Sequence, residues 1–287
     1  MEFKYFSRNG DVMPIEKATV PLSSVEYSYG FGVYESIRVT AGVPYFLRDH
    51  IERLLGSAQE IQLAHPFTPE LITKSIRELI AKNEAETCNL KILLIGPSTS
   101  FDKAQDKSLR AGGEAMLNIL CLNPLFPDKK LYRDGAHCIT TVYERMLPHA
   151  KTLNMLGSYL AYRKAKEAGA YDALLIDREG CITEGTRTNF FCIKGKTLYS
   201  PPEARILLGV TRKVLLKVAA QEGFTLEERD IKLDEVASYD AAFITSTSTK
   251  IMPLRSIDGT ELPVSSPELR ALMTAFDHFL DGCGGSL

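Results

Sequence analysis

The sequence predicts an α+β protein of two domains. Its 287 residues exceed the usual size of a single domain, and 45% of them are apolar, enough to build a large core. Strand-like and helix-like segments follow one another irregularly, without the strict strand–helix rhythm of a doubly wound parallel sheet. A polar, proline-containing linker at residues 123–130 interrupts both periodicities, and it separates a first domain of residues 1–122 from a second domain of residues 131–287.

The first domain opens with a predicted β-hairpin, in which residues 3–7 and 12–15 flank the turn dipeptide Asn9-Gly10. Residues 33–39 are predicted as a strand. The spacing of apolar residues then predicts helices over 47–62 and 69–82, the second with a proline in its first turn. Buried strands are expected at 90–95 and 115–122, and the polar segment 96–113 between them is expected to form a long exposed loop.

The second domain shows the same mixture. Strands are predicted at 138–143, 173–177 and 241–245, and a hairpin at 189–193 and 197–199. Helices are predicted over 155–168, 209–222 and 267–280, and the first two end at Gly169 and Gly223.

Composition disfavours several classes of function. The net charge is −2, from 34 basic and 36 acidic residues, so no basic field favours a nucleic-acid partner. No apolar run approaches the length of a membrane span, and the first residues lack a signal-peptide core, so we expect a cytoplasmic protein. The six cysteines form no C-x-x-C pair, which favours reduced thiols over disulfides and gives no reason to expect a metal site.

Lys151 and Glu184 lie in segments that suit a pair of cofactor-binding groups. Lys151, in the segment 148–154, follows a predicted strand and precedes a predicted helix. Glu184 precedes a predicted strand and is followed by Gly185, which lets a backbone approach a ligand. A lysine can hold an aldehyde as a Schiff base, and a buried carboxylate can keep a pyridine nitrogen protonated. Taken singly, each residue is better explained without a cofactor, Lys151 as a surface lysine and Glu184 as a turn glutamate in solvent.

Three further segments offer groups that bind anions. Residues 209–212 open a predicted helix, whose free N–H groups bind phosphate with help from the Thr211 hydroxyl. Residues 245–249 are five consecutive hydroxyl residues after an apolar strand. Arg53 lies beside the apolar face of the first helix and offers a planar donor group. A capping turn, a polar loop and a solvated arginine are the plain alternatives, but together with Lys151 and Glu184 the set matches the needs of pyridoxal phosphate.

The ordered set of motifs resembles the class IV aminotransferases, the fold-type IV pyridoxal phosphate enzymes. The likeness runs from residues 29–35 through 50–54, 148–154 and 182–191 to 245–253, nearly the whole chain. It implies a two-domain fold like that of D-amino acid aminotransferase, with the cofactor in the interdomain cleft. It also implies Lys151 as the Schiff-base lysine, Glu184 as the partner of the pyridine nitrogen, and a phosphate site formed by Arg53, Val210, Thr211, Ser246 and Thr247.

The subfamily signals point in different directions. Tyr34 and the residues after Lys151 resemble D-amino acid transaminases, but the R-x-H motif of those enzymes is absent from residues 96–101. Residues 35–38 resemble the E-G-I-R pattern of branched-chain aminotransferases, whose later Y-x-R motif is replaced here by residues 89–91. Lys91 at this place also resembles the aminodeoxychorismate lyases. We expect the substrate to contact a set of mainly polar side chains: Tyr29, Tyr34, Arg38, Lys91 and Ser248.

The sequence therefore predicts a transaminase that moves an amino group from a branched-chain L-amino acid to 2-oxoglutarate. A D-amino acid transaminase and an aminodeoxychorismate lyase are the alternatives on the same cofactor, and a non-catalytic ligand-binding protein, in which Lys151 makes only an ion pair, is the alternative of another class. The resemblance also implies a homodimer or larger homo-oligomer, in which the loop at 96–113 would complete the neighbouring subunit's site.

Overall fold

The computed structural model of this protein describes residues 2–20, 26–97 and 114–283. The chain divides into two compact units. The first comprises Met1–Pro124 with Ala150–Met155, and the second comprises Leu125–His149 with Leu156–Ser286. The first crossing between the units, from Pro124 to Leu125, falls within the segment that the sequence marks as a linker.

The first unit is built on an antiparallel sheet. Its strands are β1 (Tyr5–Arg8), β2 (Asp11–Pro14), β3 (Gly32–Thr40), β4 (Val43–Pro44), β5 (Thr87–Ile95) and β6 (Met116–Leu122). They are arranged in the order β2-β1-β6-β5-β3-β4. The predicted hairpin forms through β1 and β2, and Asn9 and Gly10 both have positive φ, which matches the turn chemistry of that dipeptide.

Helices cover one face of this sheet. After α1 (Glu26–Tyr29), the helices α2 (Leu47–Glu60) and α3 (Pro69–Lys82) bury the apolar faces that their periodicity predicted. The helix α2 packs against β3, and α3 packs against β1 and β6. Alternate residues of β3 such as Val33, Ile37 and Val39 are fully buried in this core. The intervening residues, including Tyr34 and Ser36, therefore lie on the opposite face of the sheet.

The segment Ala150–Met155 packs with the first unit, which corrects the expected placement of Lys151 in the second domain. The reason is its backbone pairing to β3. Thr152 forms an antiparallel bridge with Val33, the Leu153 N–H donates to the Gly32 carbonyl at 2.9 Å, and the Tyr34 N–H donates to the Lys151 carbonyl at 2.9 Å. The segment thus pairs with an element that lies far earlier in the chain, a pairing that local sequence patterns do not reveal.

The second unit is built on a sheet whose central strands close on themselves. Its strands are β7 (Ala136–Val142), β8 (Asp172–Ile176), β9 (Cys181–Gly185), β10 (Asn189–Lys194), β11 (Thr197–Ser200), β12 (Thr225–Glu228), β13 (Ile231–Lys232), β14 (Ala241–Ser246), β15 (Lys250–Ile257) and β16 (Thr260–Glu261). Six strands follow one another as β10-β14-β15-β7-β8-β9, and a further pairing of β9 with β10 completes a ring.

Four helices surround these strands: α4 (Lys129–Asp134), α5 (Leu156–Glu167), α6 (Val210–Gln221) and α7 (Pro267–Cys283). The helix α5 packs on β7 and β8, and α6 packs on β14 and α7. Short 3-10 turns occur in the two units at Ile15–Lys17, Glu203–Arg205 and Leu233–Ser238. Within the described ranges, every helix is too short or too polar to cross a bilayer.

The structure departs from the sequence prediction at specific places. The helix α4 begins at Lys129, inside the predicted linker, because Asp128 caps it by accepting the Lys130 N–H at 2.9 Å. Strand β9 contains Glu184, which was expected only to precede the strand at residues 189–193 and was assigned to no strand of its own. All five residues of β9 are buried, so its polar members are stabilised by pairing inside the ring.

Candidate active site

Lys151 is fixed through its backbone by two elements of the first unit. Its carbonyl accepts the Tyr34 N–H of β3 at 2.9 Å, and its own N–H donates to the Ser57 hydroxyl of α2 at 3.1 Å. The half-buried side chain places Nζ 4.6 Å from the centre of the Tyr34 ring. The backbone of Lys151 is therefore anchored on both sides, and its amine lies over an aromatic ring.

The sheet face next to Lys151 carries three of the five residues predicted to bind substrate. Tyr34, Ser36 and Arg38 alternate along β3, and Lys91 of β5 lies directly opposite Ser36. The Lys91 Nζ lies 3.5 Å from the centre of the Tyr34 ring. Arg38 is half-buried, with its Nε 3.4 Å from the Thr40 hydroxyl. The fold therefore gathers a phenol and three cationic side chains on one side of the first unit.

Arg53 belongs to a buried network and is not a solvated helix arginine. Its Nε and Nη2 donate to the two carboxylate oxygens of Glu35 at 2.6 and 2.8 Å. The His50 ring nitrogen Nδ1 lies 2.8 Å from the same carboxylate. The Arg53 side chain is 13% exposed, whereas that of Glu35 is fully buried. Arg53 is therefore oriented by a bidentate ion pair while it keeps some access to its surroundings.

Glu184 is a buried carboxylate with two kinds of partner in the second unit. Its Oε1 lies 3.2 Å from Nη1 of Arg145, and its Oε2 accepts the Leu207 N–H at 3.2 Å. The Asn189 side chain, on the strand next to Glu184, donates to the Leu207 carbonyl at 2.7 Å. The peptide groups around Leu207 are thus held from two strands, and this arrangement fixes the loop that leads to α6.

The same loop leads into the first turn of α6, the turn that was predicted to bind an anion. Gly209 is the N-cap of α6 and offers no side chain to cap its first turn, which contains no acidic residue. Val210 and Thr211 follow in the first turn and are both buried. The next residue, Arg212, is buried in ion pairs with Glu203 and Glu228 and so serves the structure of the unit. The N–H groups of this turn form a site of the kind that binds phosphate.

The hydroxyl-rich segment 245–249 ends β14 and forms the turn that leads to β15. The Ser246 hydroxyl accepts the Thr249 N–H at 3.2 Å and donates to the Thr249 hydroxyl at 2.8 Å. Thr247 and Ser248, between these two residues, are half-buried. Ser246 therefore stabilises the turn, which leaves Thr247 and Ser248 as its central residues.

The structure brings the predicted residues together in two groups. Within the first unit, Tyr34 contacts both Lys91 and Lys151, and Ser57, one helical turn after Arg53, bonds to the Lys151 backbone. Within the second unit, Glu184 is linked through Leu207 to the loop that begins α6. Tyr29 is an exposed residue at the end of α1. Of the segment 96–101, residues 98–101 lie outside the described residues.

Sequence reasoning missed several groups that hold the site. Arg145 pairs with Glu184, Asn189 holds the Leu207 peptide, and Ser57 accepts the Lys151 N–H. None of these has a local signal. Glu35 did have one, because a charged residue at the position between Val33 and Ile37 breaks the apolar row of β3 that faces the helices. In the described part of the chain, no group of three or more His, Cys, Asp or Glu side chains is arranged to hold a metal ion.

Comparison with known families covers most of this chain. The family model for amino-transferase class IV matches residues 32–257. The D-alanine aminotransferase of Bacillus licheniformis is 31% identical over 261 residues, which cover 90% of each protein. The putative branched-chain-amino-acid aminotransferase of Methanocaldococcus jannaschii is 32% identical over 257 residues, which cover 88% of this chain and 87% of that protein.

Solved structures match the fold over nearly the full length. The branched-chain amino acid aminotransferase of Thermobaculum terrenum, in its PLP-bound holo form, gives a TM-score of 0.84 at 26% identity, and the match covers 97% of this chain and 94% of that one. The branched-chain aminotransferase of Thermoproteus uzoniensis with norvaline gives 0.85 at 29% identity, with 97% and 95% covered. These matches confirm the predicted fold and enzyme class. The chain belongs to the class IV aminotransferases, enzymes that transfer amino groups with pyridoxal phosphate as cofactor.

Proposed function

We propose that this transaminase moves the amino group of a branched-chain L-amino acid to 2-oxoglutarate, with Lys151 as its catalytic residue. The setting of Lys151 carries the assignment. A lysine that serves only in an ion pair would lie close to a carboxylate. Within the described part of the first unit, no carboxylate lies within ion-pair distance of the Lys151 Nζ, which lies over the Tyr34 ring. This arrangement argues against the alternative of a non-catalytic binding protein.

Lys151 has two roles in this proposal. Its Nζ would hold the cofactor through the cofactor's aldehyde. As a free amine, the same Nζ would act as general base and acid, taking the proton from the substrate α-carbon and giving it back during the transfer. The two backbone hydrogen bonds of Lys151 keep the chain fixed while its side chain moves between these tasks. Bound there, the cofactor supplies an aldehyde and an electron-withdrawing pyridinium ring.

Glu184 is proposed as the carboxylate that pairs with the pyridine nitrogen. Its burial and its bonds to Arg145 and the Leu207 N–H hold the carboxylate in one orientation. A buried carboxylate at the ring nitrogen keeps the proton on the ring and so strengthens its pull on electrons.

The phosphate is proposed to bind groups of three chemical types. Arg53 supplies an oriented guanidinium. The first turn of α6, with Val210 and Thr211, supplies N–H groups and a hydroxyl. The turn at residues 246 and 247, with Ser246 and Thr247, supplies further hydroxyl and backbone groups. All of these groups are hydrogen-bond donors of the kinds that bind phosphate, and none of them is an acid.

The substrate carboxylate is proposed to bind near Tyr34, Arg38, Lys91 and Ser248, with Tyr29 at the edge of the site. Lys91, on the strand beside β3, contacts the same ring as Lys151 and supplies a cation on the same sheet face. The branched-chain preference is supported by relatives and solved structures that carry that name. The L-preference is supported by the absence of R-x-H from the sequence at 96–101.

A D-amino acid transaminase is the second candidate. The D-alanine aminotransferase of Bacillus licheniformis is as similar to this chain as the branched-chain relatives are. Tyr34, which resembles the residue of the D-enzymes, contacts Lys151 directly. An aminodeoxychorismate lyase, suggested by Lys91, is separated from both by an assay of pyruvate released from aminodeoxychorismate.

The deciding experiment measures kcat/KM for L-leucine, L-valine, D-alanine and D-glutamate. The acceptor is 2-oxoglutarate, or pyruvate when D-glutamate is the donor. We expect the branched-chain L-amino acids to be preferred. A preference of about tenfold for the D-amino acids, or about 1.4 kcal/mol in the transition state, would replace the branched-chain assignment by the D-transaminase.

We also propose that the enzyme is a homodimer or a larger homo-oligomer. The helix α5 buries small residues, Ser158, Ala161 and Ala165, whereas its large apolar residues Leu156, Tyr159 and Leu160 are exposed. This inverted pattern suits a surface that is covered by a second copy of the chain.

A cytoplasmic location is proposed because the five cysteines with described side chains are free thiols, as is usual in a reducing compartment.

A further inference from the structure

Glu35 is a charged residue in a position that the fold reserves for apolar side chains. It lies on β3 between Val33 and Ile37, in the row of residues that faces α2, and it is fully buried. A carboxylate costs free energy in such a place unless it is paired and hydrogen-bonded. An apolar residue at this position would stabilise the core at least as well, so stability alone does not explain the carboxylate of Glu35.

The partners of Glu35 come mainly from one face of α2. Arg53 donates to it from Nε and Nη2 at 2.6 and 2.8 Å, and His50 Nδ1 lies 2.8 Å from Oε2. The Ser36 N–H adds a fourth contact at 3.2 Å. Burial alone would raise the pKa of Glu35, but the Arg53 charge and the His50 contact outweigh it and hold the pKa well below its ordinary range. The carboxylate is therefore ionised and anchors Arg53.

The bidentate pair fixes the direction of Arg53. A guanidinium held through Nε and Nη2 cannot rotate about its terminal bonds without breaking both contacts. The Arg53 side chain keeps 13% of its surface exposed, whereas the Glu35 side chain that anchors it is fully buried. Since Glu35 offsets the charge of Arg53, the pair offers a phosphate oriented donors more than it offers net charge.

We propose that Glu35 is the positioning residue for Arg53, which it holds in the orientation that receives the cofactor phosphate. The inference rests on the proposed phosphate role of Arg53. This role explains why an ionised carboxylate is kept in the core. Although the negative charge of Glu35 would itself repel a phosphate, phosphate binding would require Glu35 because it orients Arg53. The same helix face also fixes the lysine, because Ser57 accepts the Lys151 N–H.

The test compares the dissociation constants of the apoenzyme for pyridoxal phosphate and for pyridoxal, which lacks the phosphate, by absorbance titration. Glu35→Gln keeps the shape of the side chain but cannot accept both Arg53 bonds. We expect it to weaken pyridoxal phosphate binding about tenfold, the effect of losing one hydrogen bond to a charged group, and pyridoxal binding by less than about threefold. Glu52→Gln is the matched control, because Glu52 pairs with Arg48 on the exposed face of the same helix.

A double-mutant cycle tests whether Glu35 affects cofactor binding through Arg53. Arg53→Gln should weaken pyridoxal phosphate binding, and adding Glu35→Gln in that background should change it little further. If Glu35→Gln does not fold, Glu35→Asp, which withdraws the carboxylate by one methylene, should show the same selective loss to a smaller degree.

The outcomes distinguish a failure of the phosphate role of Arg53 from a failure of the positioning role of Glu35. An unchanged constant in Arg53→Gln would overturn the phosphate role of Arg53 and the inference with it. A large effect of Arg53→Gln beside an unchanged or tighter constant in Glu35→Gln would overturn the inference alone. Equal losses for pyridoxal and pyridoxal phosphate in Glu35→Gln would show a general structural role and would also overturn it.

Discussion

Lys151 and Glu184 are held in place by different kinds of partner. Lys151 is anchored through backbone bonds to β3 and to the Ser57 hydroxyl, which leave its amine able to move. Glu184 is anchored through its carboxylate, by Arg145 and the Leu207 N–H. The difference suits their proposed roles, because a catalytic amine must change partners during a turnover while the counter-charge of the ring must stay fixed.

Glu184→Gln should keep the fold and bind cofactor but lower kcat by at least about tenfold, or about 1.4 kcal/mol. The neutral amide cannot sustain the positive ring nitrogen, so the electron sink weakens. Steady-state kinetics at saturating substrate give the value. A matched control is Glu179→Gln, since Glu179 is an exposed glutamate of the same unit, and it should leave kcat unchanged. A kcat near that of the wild type in Glu184→Gln would mean that the ring nitrogen has another partner.

Thr211→Val should weaken cofactor binding with little loss of stability. The substitution keeps the shape of a buried residue and removes one hydroxyl, and a hydrogen bond to a charged group contributes roughly 1.5–3 kcal/mol. Equilibrium dialysis of the cofactor measures the change. Thr197→Val is a suitable control, because Thr197 lies at the end of β11 and bonds to Thr225 at the surface. Unchanged affinity in Thr211→Val would remove this hydroxyl from the phosphate site.

The sequence was sufficient to propose the chemical types of the site residues but not the groups that hold them. Lys151, Glu184 and Arg53 stand in recognisable segments, and their order along the chain is informative. Arg145 reaches Glu184 across 39 positions, and Ser57 reaches Lys151 across 94. Such pairs depend on how distant elements pack, and no local period records them.

At the scale of elements, the start of α6 depends on a close approach between backbones. Gly209 has an ordinary φ of −63°, so its backbone would accept any residue. A Cβ at this position would overlap the Asn189 side-chain oxygen. Asn189 in turn holds the Leu207 peptide, whose N–H contacts Glu184. Glycine is therefore required at position 209 by the lack of room for a Cβ and not by its backbone conformation. A larger residue at this position should displace Asn189 and, through the Leu207 peptide, the Glu184 carboxylate.

Gly209→Ala should therefore destabilise the protein by about 1–3 kcal/mol, as overpacking does, and should also weaken cofactor binding. Thermal unfolding with and without cofactor measures both effects. The matched control is Gly56→Ala within α2, where nothing lies within 4 Å of an added Cβ. Because alanine is the better helix former, the control should stabilise by about 0.5–1 kcal/mol. Equal effects of the two substitutions would contradict the packing argument.

Element predictions succeeded where local signals agree with the fold. The helix α3 spans the predicted residues because Thr68 caps it, Pro69 opens it and its apolar face is regular. The strand β9 escaped prediction because its polar residues Thr183 and Glu184 are buried by pairing inside the ring of the second unit, not by an apolar pattern. The partner strands lie elsewhere in the sequence, so the local pattern cannot reveal them.

At the scale of the whole molecule, the exposed apolar face of α5 predicts self-association. Light scattering should give the mass of a dimer or a larger oligomer at micromolar concentration. Tyr159→Glu should shift that equilibrium toward monomer, because it places a charge in an apolar contact surface. Leu226→Glu, at an exposed apolar residue of β12, is the control and should not change the mass. A wild-type monomer with full activity at the same concentration would contradict the proposal.

The central claim is that Lys151 carries the cofactor, and borohydride reduction tests it most directly. Reduction of the enzyme with bound pyridoxal phosphate fixes the cofactor on the lysine that holds it, and peptide mapping by mass spectrometry then identifies that residue. We expect a single labelled peptide that contains Lys151, and we expect neither label nor turnover in Lys151→Ala. Label on a peptide that contains a different lysine, such as Lys91, would contradict the assignment of Lys151.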